Sequence, residues 1–153
     1  MELYLVQHGE AKSEDEDPER SLTEQGMADV ERVAVSVARI GLQVCQIRHS
    51  GKRRAEQTAL ILDQHLSPSE GTVALSGLAP RDDVEPIANV LKKETRPVML
   101  VGHLPFLDRL TSLLVTGKTK RSIVQFRYGG IVCLRGEGED WAVAWIITPE
   151  CIA

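Results

Sequence analysis

Three short polar clusters each follow an apolar run in this 153-residue chain. Gln7-His8-Gly9 follows Leu3 to Val6, His49 to Arg54 follows Val44 to Ile47, and Gly102-His103 follows Pro97 to Val101. Together they hold the side chains needed to work on an anion. Arg54 is permanently charged and presents a planar fork of donors that matches phosphate oxygens. A histidine at a strand end, such as His8, can be neutral at pH 7 and act as a nucleophile. A second histidine, His103, would if protonated hold charge that develops on a phosphoryl group. Phosphoryl transfer depends mostly on positioning and electrostatic stabilisation, so this small set is chemically sufficient. A metal site built on His8 and His103 lacks a third ligand at a diagnostic spacing, so neither metal nor other cofactor is expected. His49 and His65 read as structural or surface residues.

The elements that must position these clusters are legible in outline. Glu2 to Val6 reads as a buried strand and Lys12 to Arg20 as a polar loop. Thr23 is a good N-cap for a helix on which Met27, Val30, Val33, Val37 and Ile40 keep helical spacing, and Gly41 stops it. Val44 to Ile47 is a second strand. Lys52 to Leu66 is a second helix, whose N-terminus would add backbone donors. Val73 to Leu75 reads as a short strand, and Asp82 or Asp83 as the cap of a third helix running to about Lys93. Pro97 to Val101 is a strongly apolar strand, and Pro105 opens a helix carrying Leu107, Leu110, Leu113 and Leu114. Ile131 to Leu134 and Trp141 to Ile147 close the chain, with a turn around Gly136 and Gly138 that suits antiparallel pairing.

Strands alternating with helices predict an α/β fold, a largely parallel sheet with helices on both faces. In such sheets ligands bind beyond the carboxyl ends of the strands. The three polar clusters all sit at such ends, so they can converge.

Composition narrows the function classes. With 42% hydrophobic and 26% charged residues the chain reads as one globular domain, residues 1–153. A net charge of −4 argues against a nucleic-acid partner. No apolar run approaches the ~18 residues that span a bilayer, so no membrane role is expected. MELYLVQHGEA turns polar too soon for a secretory signal. Cys45, Cys133 and Cys151 have neither metal spacing nor an even count. They read as reduced thiols of a cytoplasmic protein, two of them inside apolar strands.

These residues resemble the histidine phosphatase superfamily, and its short SixA-type phosphohistidine phosphatase branch most of all. Gln7-His8-Gly9-Glu10-Ala11 is similar to the family's Arg-His-Gly-Glu/Asp-Ala, and Leu22-Thr23-Glu24-Gln25-Gly26 to its Leu-Thr-x-x-Gly. Ser50 to Thr58 is similar to its Ser-x-x-x-Arg-Ala-x-Gln-Thr, and Gly102-His103-Leu104-Pro105 to its Gly-His-x-Pro. Four pieces in this order carry far more weight than any one. The resemblance implies a phosphoglycerate mutase-like three-layer αβα sandwich. It implies that His8 attacks phosphorus to form a phosphohistidine intermediate, which water hydrolyses, while Arg54 and His103 hold the phosphoryl oxygens. Gln7, Gly9 and Ser50 would complete the phosphate-binding set. Glu10 beside the nucleophile is expected to be solvated.

Position 7 departs from the pattern: the family's second phosphate-clamping arginine is Gln7 here, a donor without charge. Loss of one preorganised donor costs about 3–4 kcal/mol of transition-state stabilisation. A slower enzyme or an altered substrate follows, unless Lys52, Arg53 or Arg48 fills part of the gap. Asp83 matches the branch's Leu-x-Pro-x-x-Asp segment and is the candidate acid, although a helix cap is the simpler role for Asp82 or Asp83. A phosphohistidine substrate has less need of an acid, because imidazole leaves with a conjugate-acid pKa of ~6.5. The short chain has little room for a lid, which suits a phosphorylated protein surface as partner. The charged runs Glu14 to Asp17 and Lys118 to Arg121 read as solvated loops. The alternatives are a phosphatase of small phosphate esters and a degenerate module that binds phosphate or phosphoprotein without turnover.

Overall fold

A computed structural model describes residues 1–152. Its elements are β1 (Glu2–Gln7), α1 (Glu24–Arg39), β2 (Gln46–His49), α2 (Arg53–Leu66), β3 (Thr72–Ala74), α3 (Glu85–Leu91), β4 (Val98–Gly102), α4 (Phe106–Thr116), β5 (Ile131–Glu137) and β6 (Asp140–Ile147). A single 3-10 turn, Pro149–Cys151, follows.

One six-stranded sheet in the order β3-β2-β4-β1-β5-β6 forms the middle layer. β1 to β4 run parallel, β5 is antiparallel to β1, and β6 is antiparallel to β5. The expected α/β sandwich with an antiparallel closing hairpin is therefore the architecture found. β1 and β4 are apolar at nearly every position because both of their faces are covered. Side chains alternate across the sheet. Leu3, Leu5, Val98 and Leu100 meet α3 and α4 through Ile87, Leu91, Phe106, Leu107 and Leu110. Tyr4, Val6, Met99 and Val101 meet α1 and α2 through Val30, Val33, Val37, Ala59 and Leu62.

Thr23 caps α1 as expected, its hydroxyl accepting the Gly26 N–H at 2.9 Å. Gly26 lets α1 approach the loop after β1: a Cβ there would fall onto the Glu10 carbonyl oxygen.

Four expectations need correction. α3 starts at Glu85, ends at Leu91, and takes Val84 as N-cap with no side-chain bond. Asp82 accepts the Ala79 N–H at 2.9 Å, and Asp83 accepts the Glu85 N–H at 3.1 Å, so both shape the turn before the helix. β2 begins at Gln46; Cys45 lies just outside it, so of the three cysteines only Cys133 is within a strand. β3 starts one residue earlier than expected, at Thr72. Gly136 pairs with Trp141 inside the β5–β6 ladder, and the turn sits at Gly138, which has φ 55°.

Candidate active site

Register places the two histidines together. Gln7 is level with Gly102 in the β1–β4 ladder, so His8 and His103 leave the sheet side by side. The His8 N–H donates to the Gly102 carbonyl at 3.0 Å, and the two rings lie 5.0 Å apart. His49 is level with Val101 on β4's other side, which brings the Ser50 to Arg54 segment to the same edge.

The His8 ring is oriented for one tautomer. Its Nδ1 lies 2.7 Å from the Gly9 carbonyl oxygen. A carbonyl only accepts, so Nδ1 carries the proton and Nε2 keeps its lone pair. Burial pushes the His8 pKa down to about 4, outweighing the bond to Gly9, and Arg54 and Arg20 add to the fall. His8 is thus neutral near pH 7 with a free imidazole nitrogen, as a nucleophile must be.

The charge of His103, which the sequence left open, depends on its surroundings. Burial first, then the neighbouring His8, Arg54, Lys52 and Arg20, hold its pKa down to about 3. It is therefore neutral near pH 7, and an anion bound beside it would raise its pKa. Its Nε2 shares a hydrogen bond with the Ser50 hydroxyl at 2.6 Å, and that hydroxyl accepts the Lys52 N–H at 3.3 Å. Its Nδ1 is buried without a partner; Arg54 Nε is the other such side-chain atom among the described residues. Buried polar atoms are almost always paired. Both exceptions belong to residues at this one edge of the sheet.

Arg54 lies in the first turn of α2, whose Lys52 N-cap has no side-chain bond. Two neighbours on that helix tie it to the site. The Thr58 hydroxyl accepts the Gly9 N–H at 3.0 Å and donates to the Arg54 carbonyl at 2.8 Å. Gln57 accepts the Leu22 N–H at 2.7 Å.

A cavity of about 350 Å³ is lined by Gln7, His8, Arg54 and His103, together with Pro80, Leu104 and Pro105. Three further lining residues escaped the sequence reading: Arg20, Arg81 and Tyr128. The Tyr128 ring stacks obliquely on His8, with centroids 5.5 Å apart. Nothing in local pattern marks these three, because two lie on loops and Tyr128 in a turn before β5. Their polar or aromatic type at a loop near a strand end is the only signal. A larger hollow of about 530 Å³ opens at the opposite, amino-terminal ends of the strands, around Met1, Tyr4, Leu42 and Pro97. It lacks a convergent set of histidines and cations, so the smaller cavity is the candidate site.

Other candidates lie elsewhere. Asp83 is exposed and does not line the cavity. Arg48 is paired with Glu94 at 3.4 Å and Arg53 with Glu56 at 3.0 Å, and neither lines the cavity. Lys52 lines an adjoining hollow rather than the cavity itself. Glu10 is exposed and accepts the Thr23 hydroxyl at 2.8 Å. His49 is buried and accepts the Gly51 N–H, and His65 meets Glu31 at 2.6 Å on the surface. No group of His, Cys, Asp and Glu among the described residues is arranged to hold a metal.

No family profile matches the sequence. An uncharacterized protein of Picosynechococcus sp. (strain PCC 7002) is 34% identical over 143 residues, covering 88% of this chain and 85% of that one. The protein histidine phosphatase SixA complexed with tungstate superposes with a TM-score of 0.87, at 22% identity and 99% coverage of both chains. A phosphohistidine phosphatase SixA from Agrobacterium tumefaciens, described as putative, gives 0.77 at 21% identity and 97% coverage of both. A putative alpha-ribazole-5'-P phosphatase from Escherichia coli also gives 0.77, at 15% identity, over 97% of this chain and 98% of that one.

Proposed function

Because this chain has the fold of the histidine phosphatase SixA and belongs to one family with the uncharacterized Picosynechococcus protein, we propose that it is a phosphatase of the histidine phosphatase superfamily that works through His8. The observation that carries this is the tautomer of His8. Its Nδ1 is committed to Gly9, and its Nε2 is free in a cavity lined by guanidinium groups. In the reaction His8 Nε2 attacks phosphorus and the N–P bond forms as the bond to the leaving group breaks. The leaving group departs with the electron pair and is protonated from solvent. Water then attacks the phosphohistidine, releasing phosphate and restoring His8. Arg54, His103 and Gln7, which line the cavity, hold the oxygens; the Gly9 and Ser50 expected beside them do not line it, since the Gly9 N–H and carbonyl are engaged by Thr58 and His8 and the Ser50 hydroxyl by His103.

Within that reading the substrate class favoured is a phosphohistidine on a protein. No carboxyl group lines the cavity among the described residues, and Asp83 is engaged at the α3 turn. An alkoxide leaving group needs a strong protein acid, whereas imidazole does not. Brief incubation with a phosphohistidine-bearing protein labelled at phosphorus should leave label on this chain, and His8→Ala should abolish it. Turnover of that protein should exceed turnover of small phosphate esters. Faster ester hydrolysis would shift the substrate class, and absence of label and turnover on every substrate would leave a binding module.

A further inference from the structure

We propose that Arg20 is the second cationic ligand of the phosphoryl group, supplying from a loop the charge that Gln7 does not bring at the end of β1. The inference rests on the phosphatase reading of the same cavity and deepens it.

Arg20 lines that cavity beside Gln7, His8, Arg54 and His103. It also lines the adjoining hollow with Lys52, so it stands where the two meet. Its Nε donates to the Lys12 carbonyl at 3.1 Å, which fixes the guanidinium plane and leaves both terminal nitrogens without a protein partner among the described residues. Among the described residues no carboxylate forms an ion pair with Arg20 or Arg54; Glu14, which lines the adjoining hollow, acts on Arg54 only at longer range. Two half-buried guanidiniums facing one cavity repel each other, and a phosphate dianion between them would offset the repulsion. The charge of Arg20 reaches both histidines and Arg54, depressing the pKa of each.

The loop is built to hold it. Arg20 has φ 51°, a left-handed backbone uncommon outside glycine. The conformation is enforced locally. The Arg20 N–H donates to the Asp17 carbonyl at 2.9 Å, and the Asp17 carboxylate accepts the N–H groups of Glu19 and Ser21 at 3.0 and 3.1 Å, as well as the Ser21 hydroxyl. The two ends of the loop are joined by the Ala11–Leu22 bridge and by the Lys12 N–H donating to Ser21. Arg81 also lines the cavity but is exposed and lacks any such anchoring.

The test is calorimetric binding of inorganic phosphate, which needs no turnover, to wild type, Arg20→Ala, Arg20→Met, Gln7→Arg, the Arg20→Ala/Gln7→Arg double variant and Arg54→Ala. Arg20→Met keeps the aliphatic stem should the alanine disturb the loop. Both Arg20 variants should bind phosphate more weakly by on the order of 10- to 100-fold. Gln7→Arg should recover most of that loss in the double variant while adding less in the wild-type background. Wild-type affinity in folded Arg20 variants, with loss in Arg54→Ala, would overturn the role of Arg20 and leave the phosphatase reading standing. Loss without recovery in the double variant would overturn the exchange of roles between positions 7 and 20. Undiminished affinity in Arg54→Ala would overturn the reading of the cavity itself.

Discussion

The Thr58 hydroxyl joins Gly9, beside His8 at the end of β1, to Arg54 on α2, accepting from the Gly9 N–H at 3.0 Å and donating to the Arg54 carbonyl at 2.8 Å. Thr58 is fully buried, so the Gly9 amide has no water to turn to. Thr58→Val removes the acceptor at nearly constant volume. It should destabilise the protein by about 1–3 kcal/mol and slow turnover by loosening the spacing of His8 and Arg54. Thr58→Ser should retain most of both properties. Urea denaturation read beside steady-state rates checks it.

Gly26→Ala tests the close approach of α1 to the chain after His8. The added methyl would strike the Glu10 carbonyl. Helix propensity alone would favour alanine here. Overpacking should win, at a cost of about 1–3 kcal/mol, and thermal denaturation should show a lowered midpoint.

Asp83→Asn should leave kcat on a phosphohistidine protein within about twofold, because a group outside the cavity has no transition-state proton to give. The asparagine oxygen can still accept the Glu85 N–H, so stability should also be nearly unchanged. A fall in kcat of a hundredfold would restore Asp83 as the acid.

The pH dependence of stability has a definite sign. His8 and His103 sit at about 4 and about 3 in the folded chain, against about 6.5 when unfolded. His49 is lowered too, by burial. Between those limits the unfolded chain binds protons that the folded chain refuses, so stability is fully present above pH 6.5 and is lost as pH falls towards 4 and then 3. The melting temperature should drop between pH 7 and 5. Phosphate should shrink the drop, since a bound anion raises both histidines. His103→Gln should shrink it as well.

What the sequence revealed was what lies in register. The apolar runs before His8 and His103 announced β1 and β4, and motif order announced which ends meet. The order β3-β2-β4-β1-β5-β6 was not written in any local pattern, because it depends on which faces the helices cover. Asp82 and Asp83 looked like helix caps and instead stabilise the preceding turn, since Val84 takes the cap position. Arg20 read as one residue of a polar loop. Its place at the site follows from the loop's path, set by Asp17 and by a left-handed residue, and neither has a periodic signature. The same holds for Tyr128, which reaches His8 from a turn 120 residues later in the chain.

The central position of β1, hydrogen-bonded along both edges to β4 and β5, sets a clock for the site. Amides of such a strand exchange with solvent only when the whole domain opens, whereas a surface loop closed by its own few bonds exchanges through local fluctuations. His8, the proposed nucleophile, follows a strand paired on both edges, whereas Arg20 lies on a loop held by local bonds. Hydrogen exchange would resolve the two as separate classes.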